Sequence, residues 1–127
     1  MMIFDSDIMV DTLRKYPPAL SWLNSITNEV YILPGFVVME LINGCKNKAE
    51  QIKVEREVEK YEIIWPTPKV CNEALLTFSK HHFSHGIGIL DSLIGQLAVD
   101  MKLPLYTFNQ KHYAAIQNLK TIQPYKK

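Results

Sequence analysis

The chain has 127 residues, 47% of them apolar, and 14 basic against 13 acidic side chains leave a formal net charge of +1. That length supports one modest core and a single domain over residues 1–127. No apolar run reaches membrane-spanning length and Met1 to Phe4 is too short for a secretory signal, so a cytoplasmic protein without a membrane partner is expected.

Met2 to Phe4 reads as a short buried strand. Ser6 or Asp7 would cap the helix that follows, with Ile8, Met9 and Leu13 as its apolar stripe. Pro17 and Pro18 stop that helix and start another, where Leu20, Leu23 and Ile26 repeat at helical spacing. Glu29 to Leu33 is the second strand, and Pro34-Gly35 opens a helix carrying Val37, Val38, Leu41, Ile42 and Cys45. Lys46 to Lys60 is mostly charged and reads as a solvated helix able to lean on a partner. Tyr61 to Trp65 is the third strand, followed by a helix from Pro68 through Val70, Ala74, Leu75 and Phe78. The helix from about Ile89 to Met101 places Leu90, Leu93, Ile94, Leu97 and Met101 on one face. Leu105 to Thr107 forms a fourth strand and Thr121-Ile122 a fifth at the edge. Cys45 and Cys71 lack close-spaced partners and read as reduced core thiols.

Strands separated by helices imply parallel pairing with helices on both faces, hence an α/β fold of three layers around four or five strands. In such sheets the active crevice opens at the carboxyl ends of the strands, where strand order reverses. Asp5 closes the first strand and Asn109 follows the fourth, so the two meet if those strands are neighbours.

Each polar position also has a structural reading. Asp5 could cap a helix, although Ser6 and Asp7 supply better-placed caps. Glu40 lies between Met39 and Leu41 in an apolar helix, where a carboxylate is expensive to bury unless paired, for example with Arg14. Asp91 could serve only the dipole of its own helix. Carboxylates gathered without compensating cations repel, so a cluster of them usually exists to hold a divalent ion.

The joint pattern resembles the PIN domain, a metal-dependent ribonuclease fold, and within it the compact VapC-type members. Ile3-Phe4-Asp5-Ser6-Asp7 resembles the opening strand and its Asp-Ser-Asn or Asp-Thr-Asn turn. Val37 through Gly44, centred on Glu40-Leu41, resembles the second motif, and Gly88 through Ala98 with Asp91 the third. Thr107-Phe108-Asn109-Gln110-Lys111-His112-Tyr113 is similar to the closing Thr-x-Asp/Asn segment with its basic and aromatic tail. Two departures stand out: Asp7 replaces the usual Asn, and Asn109 replaces a frequent Asp.

The resemblance implies that Asp5, Glu40, Asp91 and Asn109 are catalytic and, with Asp7, hold Mg²⁺ or Mn²⁺ for hydrolysis of RNA phosphodiesters. Ser6, Ser92 and Thr107 would steady these ligands, while Lys111, His112 and Tyr113 would grip RNA. It also implies a homodimer and a small antitoxin that masks the site, with Trp22 to Ile26 and Lys46 to Lys60 as partner surfaces. The rival readings are a PIN-like domain that binds RNA or protein without cutting, and a haloacid-dehalogenase-like phosphatase using Asp5 and Asp7. His81 and His85 have i,i+4 spacing, but no further zinc ligand lies near, and Gly86 and Gly88 suggest that the helix has ended.

Overall fold

A computed structural model describes all residues, 1–127. The elements follow as β1 (Met2–Phe4), α1 (Ser6–Leu13), α2 (Pro17–Ser25), β2 (Tyr31–Pro34), α3 (Gly35–Asn43) and α4 (Lys48–Val58). Then come β3 (Glu62–Ile64), α5 (Pro68–His85), α6 (Ile89–Met101), β4 (Leu105–Tyr106), α7 (Gln110–Tyr113) and β5 (Thr121–Ile122). The five strands form one sheet in the order β3-β2-β1-β4-β5, and every neighbouring pair is parallel.

Successive strand residues point to opposite faces, so a strand buried at every position must be covered on both sides. Ile3 and Phe4 are both fully buried, as are Ile32 and Leu33. The sheet is therefore the middle of three layers, and its centre is the middle of the core. Ile8 and Met9 of α1, Val37 of α3 and Ile94 and Ala98 of α6 close over it. The order reverses beside β1: the chain first winds outward through β2 and β3, then returns to place β4 on the other flank. That is the switch point expected to carry a site.

Several expectations change in detail. The second strand starts two residues late, at Tyr31, and ends on Pro34, a terminal position where the missing N–H is tolerated. The cap of α1 is Asp5 itself, whose side chain accepts from the Ser6 amide. The helix α5 continues through all three histidines and stops at Gly86, where φ is +63° and a residue without a Cβ is favoured. Cys45 follows the α3 cap instead of lying within the helix, and both thiols are free and half-buried rather than core. The charged α4 is not wholly solvated, since Val54 and Val58 are buried against the core. No helix is long and apolar enough to cross a membrane.

Candidate active site

Register between β1 and β4 builds the centre of the site. Phe4 pairs with Tyr106, so the next residues, Asp5 and Thr107, emerge side by side at the carboxyl end of the sheet. The Asp5 amide donates to the Tyr106 carbonyl at 3.0 Å. Asp5 is only 3% exposed, and each carboxylate oxygen has protein donors. Its Oδ1 accepts from the Ser6 amide at 2.8 Å, and its Oδ2 from Thr107 Oγ1 and the Tyr113 hydroxyl, both at 2.9 Å. Burial and then the charge of Asp7 push the Asp5 carboxyl up to about 6, against those hydrogen bonds.

Asp7 joins the same knot. Its Oδ1 accepts from the Ile8 amide, and its Oδ2 accepts from the Phe108 amide at 2.8 Å and from Thr107 Oγ1 at 3.3 Å. One hydroxyl has one proton, so Thr107 shares it between two carboxylates and bonds Asp5 more closely. The Thr107 oxygen in turn accepts from the Asn109 amide at 3.0 Å. Burial raises the Asp7 carboxyl, opposed by the Phe108 and Ile8 amides, by Thr107 and by the charge of Lys127.

Glu40 arrives from α3, which packs against both α1 and α6. It is half-buried, and no lysine or arginine pairs with it. Burial, followed by the negative charges of Asp5, Asp91 and Asp7, pushes its carboxyl up to about 7. Asp91 sits in the first turn of α6, where its Oδ2 accepts from the Gly88 amide at 3.3 Å. It does cap its helix, yet it also lies within electrostatic reach of Glu40 and Tyr113. Its neighbour is the exposed His112, with Nδ1 at 3.9 Å.

Tyr113 lies within electrostatic reach of three of the acids. It is 1% exposed, donates to Asp5, and its phenol is held far above its usual value. Burial leads, followed by the charges of Asp5 and Asp91, the bond to Asp5 and the charge of Glu40. Tyr113 does not face RNA as its basic and aromatic segment suggests: the fold buries its ring and turns its hydroxyl onto Asp5. No helical spacing marks this in the sequence, since α7 ends at Tyr113 and the buried Ile116 lies beyond it.

Other candidates fall around this centre. Asn109, Lys111 and His112 are exposed, and the Asn109 side chain makes no cap bond to α7. Ser92 is buried but donates to the Ile89 carbonyl of its own helix at 2.7 Å, so it steadies α6 and not the acids. Ser6 and Glu40 line one end of a groove of about 450 Å³ between α1, α3 and α4, which also takes in Arg14, Glu50 and Lys53. Arg14 shares this groove with Glu40 without forming an ion pair with it. Trp22 is not a free partner surface: it packs on Phe4, Tyr106 and Tyr125, and Leu23 and Ile26 also pack on the core. The three histidines form no metal cluster; His81 and His85 meet edge to face at 5.0 Å, and His82 stacks on Phe78.

The donor set suits a hard divalent cation in its chemistry, because the carboxylates of Asp5, Asp7, Glu40 and Asp91 raise one another's charge cost and none of them forms an ion pair with lysine or arginine. No three acidic, histidine or cysteine side chains stand close enough to form a ready-made shell. That arrangement is compatible with Mg²⁺-type binding through one or two carboxylates with retained water, and less so with an all-protein cage.

A PIN domain sequence profile matches residues 2–117. Ribonuclease VapC10 of Mycobacterium tuberculosis is 30% identical over 122 residues, covering 94% of this chain and 91% of that protein. Two solved structures share the fold. The complex VapBC2 from Rickettsia felis, bound to a promoter DNA fragment, has a TM-score of 0.77 at 24% identity, covering 95% of this chain and 96% of that one. DNA-bound VapBC from Salmonella typhimurium has a TM-score of 0.78 at 18% identity, with 96% and 98% covered. With the profile spanning residues 2–117 and the Mycobacterium relative 30% identical over nearly the whole of both chains, the chain belongs to the PIN domain family.

Proposed function

We propose that this chain is a divalent-metal-dependent endoribonuclease and the toxin of a VapBC-type toxin–antitoxin pair, acting in the cytoplasm. The observation that carries the reading is the buried Asp5 carboxylate, held by Thr107 and Tyr113 at the switch point, with Asp7, Glu40 and Asp91 close enough for their charges to act on it or on its Tyr113 partner. The relative named Ribonuclease VapC10 and the fold shared with VapBC complexes support it. Family membership sets aside the haloacid-dehalogenase-like phosphatase.

In this reading Asp5 and Asp91 would hold Mg²⁺ or Mn²⁺, with Glu40, Asp7 and Asn109 completing the donor set. When bound, such an ion would supply Lewis acidity and positive charge at the attacked phosphodiester. Thr107 and Tyr113 fix Asp5 in one orientation by donating to its Oδ2. Glu40, raised in the metal-free protein by burial and by the charges of Asp5, Asp91 and Asp7, is the acid whose ionised form the cation would favour most. Lys111 and His112, exposed on α7, meet the RNA phosphates.

A homodimer would use the apolar side chains left on α5, where Leu75 and Leu76 are exposed and Phe83 is 92% exposed. An antitoxin segment would occupy the groove between α1, α3 and α4 and so cover Glu40.

The alternative is a domain that binds RNA or protein without cutting, favoured by Asn109 and by the absence of a ready-made ion shell. Cleavage of RNA with Mn²⁺ separates the two. The nuclease reading expects cleavage that EDTA stops and that Asp91→Asn lowers by about 100-fold, the scale of losing one charge-stabilising group. Expression of the wild type alone should arrest growth, and the Asp91 variant should not. Cleavage that persists in EDTA, or is equal in the variant, would remove these acids from the reaction.

A further inference from the structure

After β5 the chain returns to α1 and to the turn between β4 and α7. The Tyr125 hydroxyl donates to Asp11 Oδ2 at 2.7 Å, and Lys127 Nζ lies 3.2 Å from the same oxygen. Asp11 is 8% exposed and sits one turn beyond Asp7 on α1. Like charges at i,i+4 repel, and Lys127 brings a cation to that face.

The same few residues also grip the turn between β4 and α7. The Phe108 ring meets Tyr125 edge to face at 4.9 Å, and the Lys127 ammonium sits 4.4 Å from the Phe108 ring centroid. Tyr125 packs further on Tyr16 and Trp22. Phe108 is the residue whose amide donates to Asp7. One short segment thus holds both ends of the Asp7–Phe108 bond, α1 through Asp11 and the turn through the Phe108 ring.

We propose that residues 123–127 form a strap that positions the Asp5–Asp7–Thr107 knot for catalysis, with Tyr125 and Lys127 as its positioning residues. The catalytic consequence rests on the nuclease reading; the mechanical one does not. Neither side chain belongs to the central core, so the segment's work is local order and not global stability.

Two readouts on Tyr125→Phe, Lys127→Met and Lys127→Arg test the strap. The first is hydrogen exchange at the Phe108 amide of the metal-free protein, with Ile32 as a core reference. Tyr125→Phe and Lys127→Met should each speed Phe108 exchange by about fivefold, the loss of one hydrogen bond, and leave Ile32 unchanged. The second is RNA cleavage with Mn²⁺, where kcat should fall about three- to tenfold with KM little altered, as expected for lost orientation. Lys127→Arg should restore both. Phe108 exchange and kcat at wild-type values in both weakened variants would overturn the strap. If the wild type does not cut RNA, the nuclease reading fails, and Phe108 exchange alone decides the strap.

Discussion

Replacing Asp5 by asparagine is expected to move activity and stability in opposite directions. The folded Asp5 carboxyl lies at about 6, against 3.8 for the free group, because burial and the charge of Asp7 outweigh three hydrogen bonds. Between those values the folded chain binds more protons than the unfolded one. Stability from this group is therefore full below pH 3.8 and is lost as pH rises through about 6. At pH 7.5 the ionised group costs on the order of 2–3 kcal/mol relative to its protonated form. The substituted amide carries no charge and keeps one oxygen for Thr107 and Tyr113, but its NH2 then faces the Ser6 amide at a cost of about 1 kcal/mol, so a net gain of about 1–2 kcal/mol, or roughly 3–8 °C in Tm, is expected for the metal-free protein. RNA cleavage should fall by about 100-fold or more. Thermal melts in EDTA from pH 5 to 8, with single-turnover cleavage beside them, check both signs. The wild type should gain stability on acidification, and the Asp5→Asn variant less so. Glu40 has the same sign over 4.5 to about 7, but its exposure screens it, so the residual slope is smaller. A variant that loses both stability and activity would mean that Asp5 is mainly a structural cap.

The second large effect falls on Thr107. This side chain is fully buried, donates toward two carboxylates and accepts from the Asn109 amide. Thr107→Val keeps the shape but removes the hydroxyl, stranding the Asn109 amide and bringing Asp5 and Asp7 together unscreened. A loss of about 2–3 kcal/mol is expected, the cost of unsatisfied buried polar groups. Cleavage should fall about tenfold or more, since Asp5 then keeps only Ser6 and Tyr113 as donors. Tyr113→Phe is the contrasting variant: it removes one donor and strands none, so about 1 kcal/mol and a smaller rate loss are expected. Chemical denaturation and cleavage rates of the two variants give the comparison. Equal effects would mean that Thr107 acts only by donating to Asp5.

Much of this was legible in the chain because strand ends are marked locally. Asp5 follows an apolar triplet and Thr107 follows Leu105-Tyr106; α/β alternation implies a parallel sheet, but only the folded strand order makes those two strands neighbours at the switch point. Caps and directions were harder. Ser6 and Asp7 are both good caps by residue type, yet Asp5 takes the role because α1 begins immediately after the strand. The inward turn of Tyr113 depends on Gly95 of α6: a Cβ there would overlap the Ile116 side chain and crowd Tyr113. No local pattern announces such a close approach. Nor could sequence show that Tyr125 reaches Asp11, since these residues are 114 positions apart and meet only after the sheet is complete.

The central claim is that carboxylates from the β1–α1 junction, α3 and α6 share one cation. Anomalous diffraction at the manganese edge from Mn²⁺-soaked crystals measures this directly. A peak bound by oxygens of Asp5 and Asp91, with Glu40 facing it, is the predicted result. A peak that avoids Asp5, or none at saturating Mn²⁺, would contradict it.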